Sequence, residues 1–228
     1  MRDTIKPTAV AAIFVLGAPV FATEQPPPAE LNRAQQLAFI ENHLQGVPKG
    51  SRLHYDFSSM TKDMESYSDE ITVTVTDLLD EEKRNLEFDF LSGTHHIDFS
   101  PAVGYTGNPV IIQFLERDIQ QMGIQTGGSY GYFRNRIRNA FRQPASVRDI
   151  KFELQGKELN GIEVTVVPFT SDPQVANYEI YANKRYEFIF SDQVPGGIYR
   201  IHTLVPGKEG GDPYIDEVMT FRQLTPAT

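Results

Sequence analysis

Residues 108–142 most constrain the fold, because they form the one strongly helical stretch in the middle of an otherwise strand-like chain. Asn108 can cap a helix through its side-chain oxygen, and Pro109 suits a first helical position. Gly123 stands where a helix could end, and Pro144 stops a second helix. Two helices inserted between runs of strands predict a sheet with a helical pair against one of its faces.

Both predicted helices carry an apolar face at helical spacing. A small curved sheet can enclose a ligand cavity, and helices against the sheet would then supply one wall. The alternative is that the same apolar and aromatic side chains only close the core. The predicted ligand-binding residues are Ile111, Phe114, Leu115, Tyr130, Phe133 and Ile137.

Arg134, Arg138 and Arg142 recur every four residues along the second helix, so they form a stripe beside its apolar face. A guanidinium group can bind phosphate or carboxylate through two parallel hydrogen bonds. The arginine stripe therefore predicts contact with an anionic head group, a membrane surface or an acidic protein of the cell envelope. The alternative is a solvated helix face that pairs with acidic strands.

The segments on both sides of the helical pair alternate apolar and polar residues and have short links, which favours antiparallel pairing. A helix is predicted over residues 30–45, then three strands, the helical pair and about six more strands. Residues 95–107 are predicted to be irregular, and residues 178–182 to be part of a strand. The predicted fold is α+β and mostly β, with a single curved antiparallel sheet (an open or half barrel) covered by the N-terminal helix and the central helical pair.

Residues 1–22 have the order of a secretory signal peptide. Arg2 and Lys6 give a positive start, residues 9–18 are apolar but too few to span a bilayer, and Ala22 is a small residue that suits cleavage. A buried N-terminal helix is the alternative. We therefore expect a periplasmic protein that is secreted by its signal peptide.

Three segments are predicted along the chain: the signal peptide, a flexible leader over residues 23–30, and a single curved-sheet domain over residues 31–228 with a helical insert at 108–142.

The chain has no cysteine, which excludes disulfides, thiol nucleophiles, thiolate metal sites and a cysteine-linked lipid anchor. Its net charge of −9 is a poor match to nucleic acid, and none is expected as a partner.

Residues 127–131 read Gly-Gly-Ser-Tyr-Gly, which is the spacing of a hydrolase nucleophile elbow around Ser129. Such an elbow needs a strand before the serine, whereas a helix is predicted there. The favoured interpretation is a glycine-rich link between helices. A serine hydrolase that uses Ser129 remains an alternative function, and no catalytic residue is otherwise predicted.

His95, His96 and Asp98 are residue types that bind zinc or copper. Adjacent histidines on an extended segment point to opposite sides, so a site would need help from His54 or His202. A polar loop is the favoured interpretation, and no metal or cofactor is expected.

The order of elements resembles that of the LolA-like and LolB-like group of periplasmic lipoprotein carriers. Its sequence support is the segment from Leu159-Asn160-Gly161 to Val166-Val167-Pro168, which is similar to a strand of that group that starts at a Gly and ends at a Pro. The resemblance implies a non-enzymatic carrier or binding protein for an apolar or amphiphilic, lipid-like ligand such as an acyl chain. No individual binding residue of this chain is assigned from the resemblance. A cell-envelope protein-interaction module without a cavity is the alternative.

Overall fold

The computed structural model describes residues 30–80, 82–143, 145–170, 172–207 and 211–227. The predicted signal peptide and residues 23–29 of the predicted leader lie outside the described residues. Residues from Leu31 onward form one unit. Within the described ranges, no helix is both long enough and apolar enough to cross a bilayer.

The described strands form one antiparallel sheet, which confirms the predicted fold class. Their spatial order is β4-β3-β2-β1-β9-β8-β7-β6-β5, so the sheet is open, with β4 and β5 at its edges. The strands are β1 (Arg52–Thr61), β2 (Tyr67–Leu78), β3 (Arg84–Phe90), β4 (Ala102–Tyr105), β5 (Ser146–Leu154), β6 (Lys157–Val166), β7 (Arg185–Phe190), β8 (Ile198–Val205) and β9 (Ile215–Thr225).

The two faces of the sheet follow from the alternation in the sequence. In β1, Leu53, Tyr55 and Phe57 are buried under the helices, whereas the intervening His54 and Asp56 face the other side. That second face is wet and carries cross-strand ion pairs, such as Arg222 of β9 with Asp56 at 2.9 Å. One face thus supplies the core and the other the charged surface.

Three α-helices are described: α1 (Arg33–Phe39), α2 (Val110–Thr126) and α3 (Tyr130–Arg142). The prediction of a helix over 30–45 was too long, since α1 ends at Phe39. The predicted end of α2 was also wrong. A Cβ at Gly123 would lie 2.0 Å from the ring of Tyr130, so this glycine permits close packing, while Gly127 provides the left-handed cap at φ +68°.

Two further predictions are corrected by the structure. Residues 178–182 belong mostly to a 3-10 helix, Val175–Tyr181, rather than to a strand. The segment predicted to be irregular contains the short edge strand β4. At the start of α2, Pro109 takes the cap position in place of Asn108, although Oδ1 of Asn108 still accepts a hydrogen bond from the Val110 amide at 3.2 Å.

Candidate functional site

The predicted ligand-binding residues lie mainly in the core between the helices and the sheet. The ring of Phe114 packs on Phe57 of β1, with 6.3 Å between ring centroids, and Phe133 packs against Phe169 at 6.1 Å. Tyr130 differs from the other five, with 47% of its surface exposed. The buried five are Ile111 (0% exposed), Phe114 (0%), Leu115 (6%), Phe133 (0%) and Ile137 (3%).

A belt of polar side chains, buried except for the partly buried Tyr67, also lies between α2 and the sheet. It contains a row of residues that are neighbours in the strand register, namely Tyr67, Ser59, Glu217, Thr203 and Tyr186. Arg117 of α2 donates two hydrogen bonds to the Glu217 carboxylate, at 2.9 and 3.1 Å. Beside them Lys184 forms an ion pair with Asp118 of α2 at 2.7 Å, and the Tyr186 hydroxyl donates to the same carboxylate.

The charges of this polar belt balance each other. Burial by itself would raise the pKa of Glu217, but the positive charges of Arg117 and Lys184 outweigh burial and hold that pKa below its ordinary value. Burial and the neighbouring Asp118 carboxylate raise the pKa of Tyr186 well above 10. Two cations and two carboxylates therefore satisfy one another, and the belt fixes α2 on the sheet.

Sequence reasoning missed the polar belt, although a signal was present. Asp118 lies four residues after Phe114 and three after Leu115, so it falls within the apolar stripe of α2. A carboxylate on the buried face of a helix requires a cation beside it. The lysine that supplies this cation comes from a distant segment, so its identity could not be read from the helix.

A cavity of about 770 Å³ lies elsewhere, beside α1, the middle of β5 and β6 and the end of β7; we call it the α1–β7 cavity. None of the six predicted ligand-binding residues lines it. Its apolar lining residues are Leu37, Ile150, Ile162, Phe190 and Val194, and its ionisable ones are Arg33, Glu41, His43, Asp149 and Asp192.

His43 is fixed in the wall of the α1–β7 cavity. Its ring stacks on Phe190, with 5.8 Å between centroids. On another side a Cβ at Gly197 would lie 2.6 Å from Cδ2 of the ring, so only glycine fits there. Gly196 and Gly197 both have positive φ, +82° and +71°, which this turn requires and glycine tolerates.

The hydrogen bonds of His43 determine its tautomer. Nδ1 accepts from the backbone N–H of Asn108 at 3.2 Å, so the ring proton is on Nε2. Burial lowers the pKa of His43 from its ordinary 6.5, against smaller opposite effects of the Leu37 carbonyl and Glu41, and this favours the neutral ring. His43 is 8% exposed, and its Nε2 makes no hydrogen bond of acceptable geometry with any described residue.

Asn108 connects the segments that build this wall. Its side-chain amide donates to the Tyr55 hydroxyl at 2.7 Å and to the Gly196 carbonyl at 2.9 Å, while its backbone N–H reaches His43. Asn42, next to His43, also lines the cavity, and its buried Oδ1 has no partner within the described ranges. Both this oxygen and Nε2 of His43 are buried and make no hydrogen bond of acceptable geometry with a described residue.

The arginine stripe divides into two kinds of residue. Arg134 is paired with Glu116 of α2, and its Nε lies 3.1 Å from the carboxylate. Arg138 and Arg142 are exposed, and neither side chain forms an ion pair with another residue in the described part of the chain. These two arginines are thus the part of the stripe whose charge no described carboxylate neutralises.

Ser129 lies at the start of α3, exposed and preceded by helix α2 rather than by a strand. No histidine among the described residues forms a hydrogen bond with it. His202, the histidine considered with it, instead contacts Glu187 at 3.1 Å and Asp216 at 2.9 Å on the wet face of the sheet. Among the residues of described position, none is hydrogen-bonded to the Ser129 hydroxyl as a base that could activate it.

The histidines considered as metal ligands each contact a different neighbour. His95 stacks on Tyr67 at 3.8 Å between centroids, and His96 contacts the Leu91 carbonyl at 3.1 Å. His54 lies beside Glu70 on β1 and β2. No group of three or more potential metal ligands occurs among the residues with a described position.

The fold and the α1–β7 cavity define a class of protein: an open antiparallel sheet with helices on one face and a cavity of small-molecule size beside it. No protein-family model matches the sequence, and no curated protein does. Solved structures do match. The crystal structure of MucB matches with a TM-score of 0.35 and 12% identity, over 82% of this chain and 57% of that one. This chain therefore spans little more than half of MucB.

Two other matches carry the LolA or lipoprotein-sorting description. A LolA superfamily protein from Nitrosomonas europaea matches with a TM-score of 0.24 and 9% identity, over 86% of this chain and 94% of that one. A putative outer membrane lipoprotein-sorting protein domain from Vibrio parahaemolyticus matches with a TM-score of 0.22 and 9% identity, over 77% and 84%. These matches agree with the resemblance predicted from the order of elements and extend no further than that likeness.

Proposed function

We propose that this protein is a non-enzymatic carrier or binding protein of the periplasm, and that it holds an amphiphilic, lipid-like ligand in the α1–β7 cavity. The supporting observation is the composition of that cavity. Apolar side chains such as Ile162 and Phe190 share it with polar and ionisable ones such as Asn42 and Asp192. Its volume of about 770 Å³ is that of a small-molecule site.

The proposal places the ligand outside the space between the helical pair and the sheet. That space is occupied by packed rings, including Phe114 and Phe133, and by the ion pairs of the polar belt. An acyl chain there would have to displace close-packed side chains and separate buried charges, both of which are costly. The α1–β7 cavity needs no such rearrangement.

The periplasmic location rests on the order of residues 1–22, which is that of a secretory signal peptide. Native mass spectrometry of protein isolated from the periplasm tests the location and the ligand together. We expect the mass of a chain cleaved before Thr23, with a near-stoichiometric adduct that organic extraction releases as an amphiphile. An uncleaved chain would contradict the location.

A pair of variants tests the cavity itself. Ile150→Trp adds bulk at a half-buried lining residue, whereas Ile124→Trp makes the same change on α2 at a residue that is 75% exposed and outside the cavity. Binding of the neutral dye Nile red is followed by fluorescence, with urea unfolding of each variant as a check of folding. We expect Ile150→Trp to weaken binding about tenfold and Ile124→Trp to leave it unchanged. Absence of dye binding by the unmodified protein, or equal binding by both variants, would contradict the proposal.

A second candidate function is docking of an acidic envelope protein on α3, because Arg138 and Arg142 are exposed and have no ion-pair partner in the described part of the chain. The double variant Arg138→Ala and Arg142→Ala should keep its stability within a few tenths of a kcal/mol, since both side chains are exposed. Crosslinking in intact cells should lose any partner captured by the unmodified protein. Lys62→Ala with Lys157→Ala removes the same two charges at exposed residues outside α3 and outside the cavity, and should keep the partner. Capture that survives the α3 double variant would eliminate α3 as the docking surface.

A further inference from the structure

The β5 edge of the sheet is long and regular. β5 has nine residues, contains no proline and pairs with β6 over its whole length without a shift of register. In the described part of the chain, no other strand pairs with it. The opposite edge, β4, has four residues, follows Pro101 and has an irregular register with β3. Short length, proline and bulges protect a sheet edge from a further strand, so β5 is the edge without these protections.

The turn after β5 determines which of its backbone groups point outward. Leu154 pairs with Lys157 across a two-residue turn, residues 155–156, in which both residues have positive φ (52° and 74°). Such a turn closes on a pair that exchanges both backbone hydrogen bonds, so Leu154 and every second residue before it bond to β6. The Glu153 carbonyl instead accepts from the Tyr199 hydroxyl at 3.0 Å, which agrees with this pattern. The outward-facing residues are therefore Val147, Asp149, Lys151 and Glu153.

The charged side chains of β5 alternate in sign. Arg148 is paired with Glu163 of β6 at 2.7 Å, and Lys151 with Glu158 of β6 at 2.7 Å. Asp149 is exposed and has no ion-pair partner among the described residues. The side chains of Lys151 and Glu158 are 65% and 67% exposed, so their ion pair contributes little and leaves the lysine able to meet a second carboxylate.

A second copy of β5, running antiparallel to the first, matches this pattern. Outward-facing residues of the two copies must lie opposite each other for the backbone bonds to form. When the two-fold axis passes through Ile150, Asp149 of each copy lies opposite Lys151 of the other, so two ion pairs accompany the backbone bonds. The half-buried Ile150 then meets its counterpart between them.

The neighbouring registers are less favourable. An axis through Arg148, Asp149 or Lys151 would place that charged residue directly opposite its own copy, which is destabilising. An axis through Phe152 would pair lysine with Glu153, but the Glu153 carbonyl is already bound, and the turn at residues 155–156 shortens the contact. Charges on an edge strand usually deter pairing, and here they deter all of these registers except the one centred between Asp149 and Lys151.

We propose that β5 is a self-association surface, through which two copies of this chain pair antiparallel and extend the sheet across both. The net charge of −9 opposes association, so the dimer is weak. This inference does not depend on the ligand proposed above. Asp149 and Ile150 also line the α1–β7 cavity, so the test measures oligomeric state rather than ligand binding.

Sedimentation velocity of the purified protein at about 0.15 M salt tests for the dimer. We expect monomer at about 1 µM and mainly dimer at about 100 µM, as for a small interface. A protein that remains monomeric at the higher concentration contradicts the proposal.

Charge exchange assigns the contact to its residues. Asp149→Lys opposes basic side chains and Lys151→Asp opposes acidic ones, so each variant alone should self-associate about tenfold more weakly or less. An equimolar mixture of the two variants should form a mixed dimer, because a basic strand then meets an acidic one. The double variant Asp149→Lys with Lys151→Asp should recover self-association to within about threefold of the unmodified protein.

Lys62→Asp is the control for net charge, because it makes the same change as Lys151→Asp at an exposed residue outside β5. It should leave self-association unchanged. Circular dichroism checks that each variant is folded, and recovery in the double variant or in the mixture excludes a folding defect as the cause. Dimers that persist in Lys151→Asp would place the contact elsewhere and overturn the proposal. Folded single variants that form no mixed dimer would overturn it as well.

Discussion

At the scale of single residues, Arg117 is the side chain on which the buried polar belt most depends. It is 3% exposed and donates to both oxygens of Glu217 and to the Tyr67 hydroxyl. Arg117→Ala leaves the Glu217 carboxylate buried without its main partner, which should reduce the free energy of unfolding by about 3–5 kcal/mol. Urea unfolding at pH 7 measures this loss.

A double variant distinguishes the contribution of the two charges to stability from that of the volume of the two side chains. Arg117→Met with Glu217→Met removes both charges and keeps apolar bulk, so it should be far less destabilising than Arg117→Ala. Arg138→Ala, an exposed arginine on α3, should change stability by only a few tenths of a kcal/mol. A small effect of Arg117→Ala, comparable to that of Arg138→Ala, would show that the belt contributes nothing measurable to stability.

At the scale of elements, the strands were the most predictable part of the fold. Alternation identified β1, β2 and β3 because their second face is wet, and a period of two then stands out in the sequence. The short edge strand β4 gave no such signal, since Gly and Pro surround it. The segment Val175–Tyr181 has the aromatic and β-branched residues of a strand, yet it folds as a 3-10 helix that packs Tyr178 and Tyr181 on Phe133. Tertiary packing outweighed local propensity there.

The candidate site was much less predictable than the elements. The cavity joins residues more than a hundred positions apart in the sequence. Leu37 belongs to α1 and His43 to the turn after it, whereas Ile150, Ile162 and Phe190 belong to β5, β6 and β7. Local patterns carry no information on such a juxtaposition. The helical pair, which the sequence singled out, supplies buried apolar faces to the core. Periodicity thus predicted which residues are buried, and not which buried residues border open space.

At the scale of the whole molecule, stability should depend on pH in two separate ranges. The folded state lowers the pKa of His43 from 6.5, so between the folded and unfolded values the unfolded chain binds more protons. The stabilisation from a neutral His43 is complete above about pH 6.5 and is lost as the pH falls toward the folded value. Glu217 has its pKa lowered from 4.5, so its contribution is complete above about pH 4.5 and is lost at still lower pH.

A variant at each of these two residues should remove the pH dependence of stability in one of the two ranges. His43→Asn cannot take up the proton, so the ligand-free variant should show a flatter free energy of unfolding between pH 6.5 and 4.5 than the unmodified protein. Glu217→Gln should instead flatten the steeper fall below pH 4.5, although only in part, because Asp69 and Glu187 also have lowered pKa values in the folded state. Urea unfolding at half-unit steps of pH measures both curves. If His43→Asn and the unmodified protein have parallel curves above pH 4.5, the pKa of His43 is the same in the folded and unfolded states, and burial of its ring does not contribute to the pH dependence of stability.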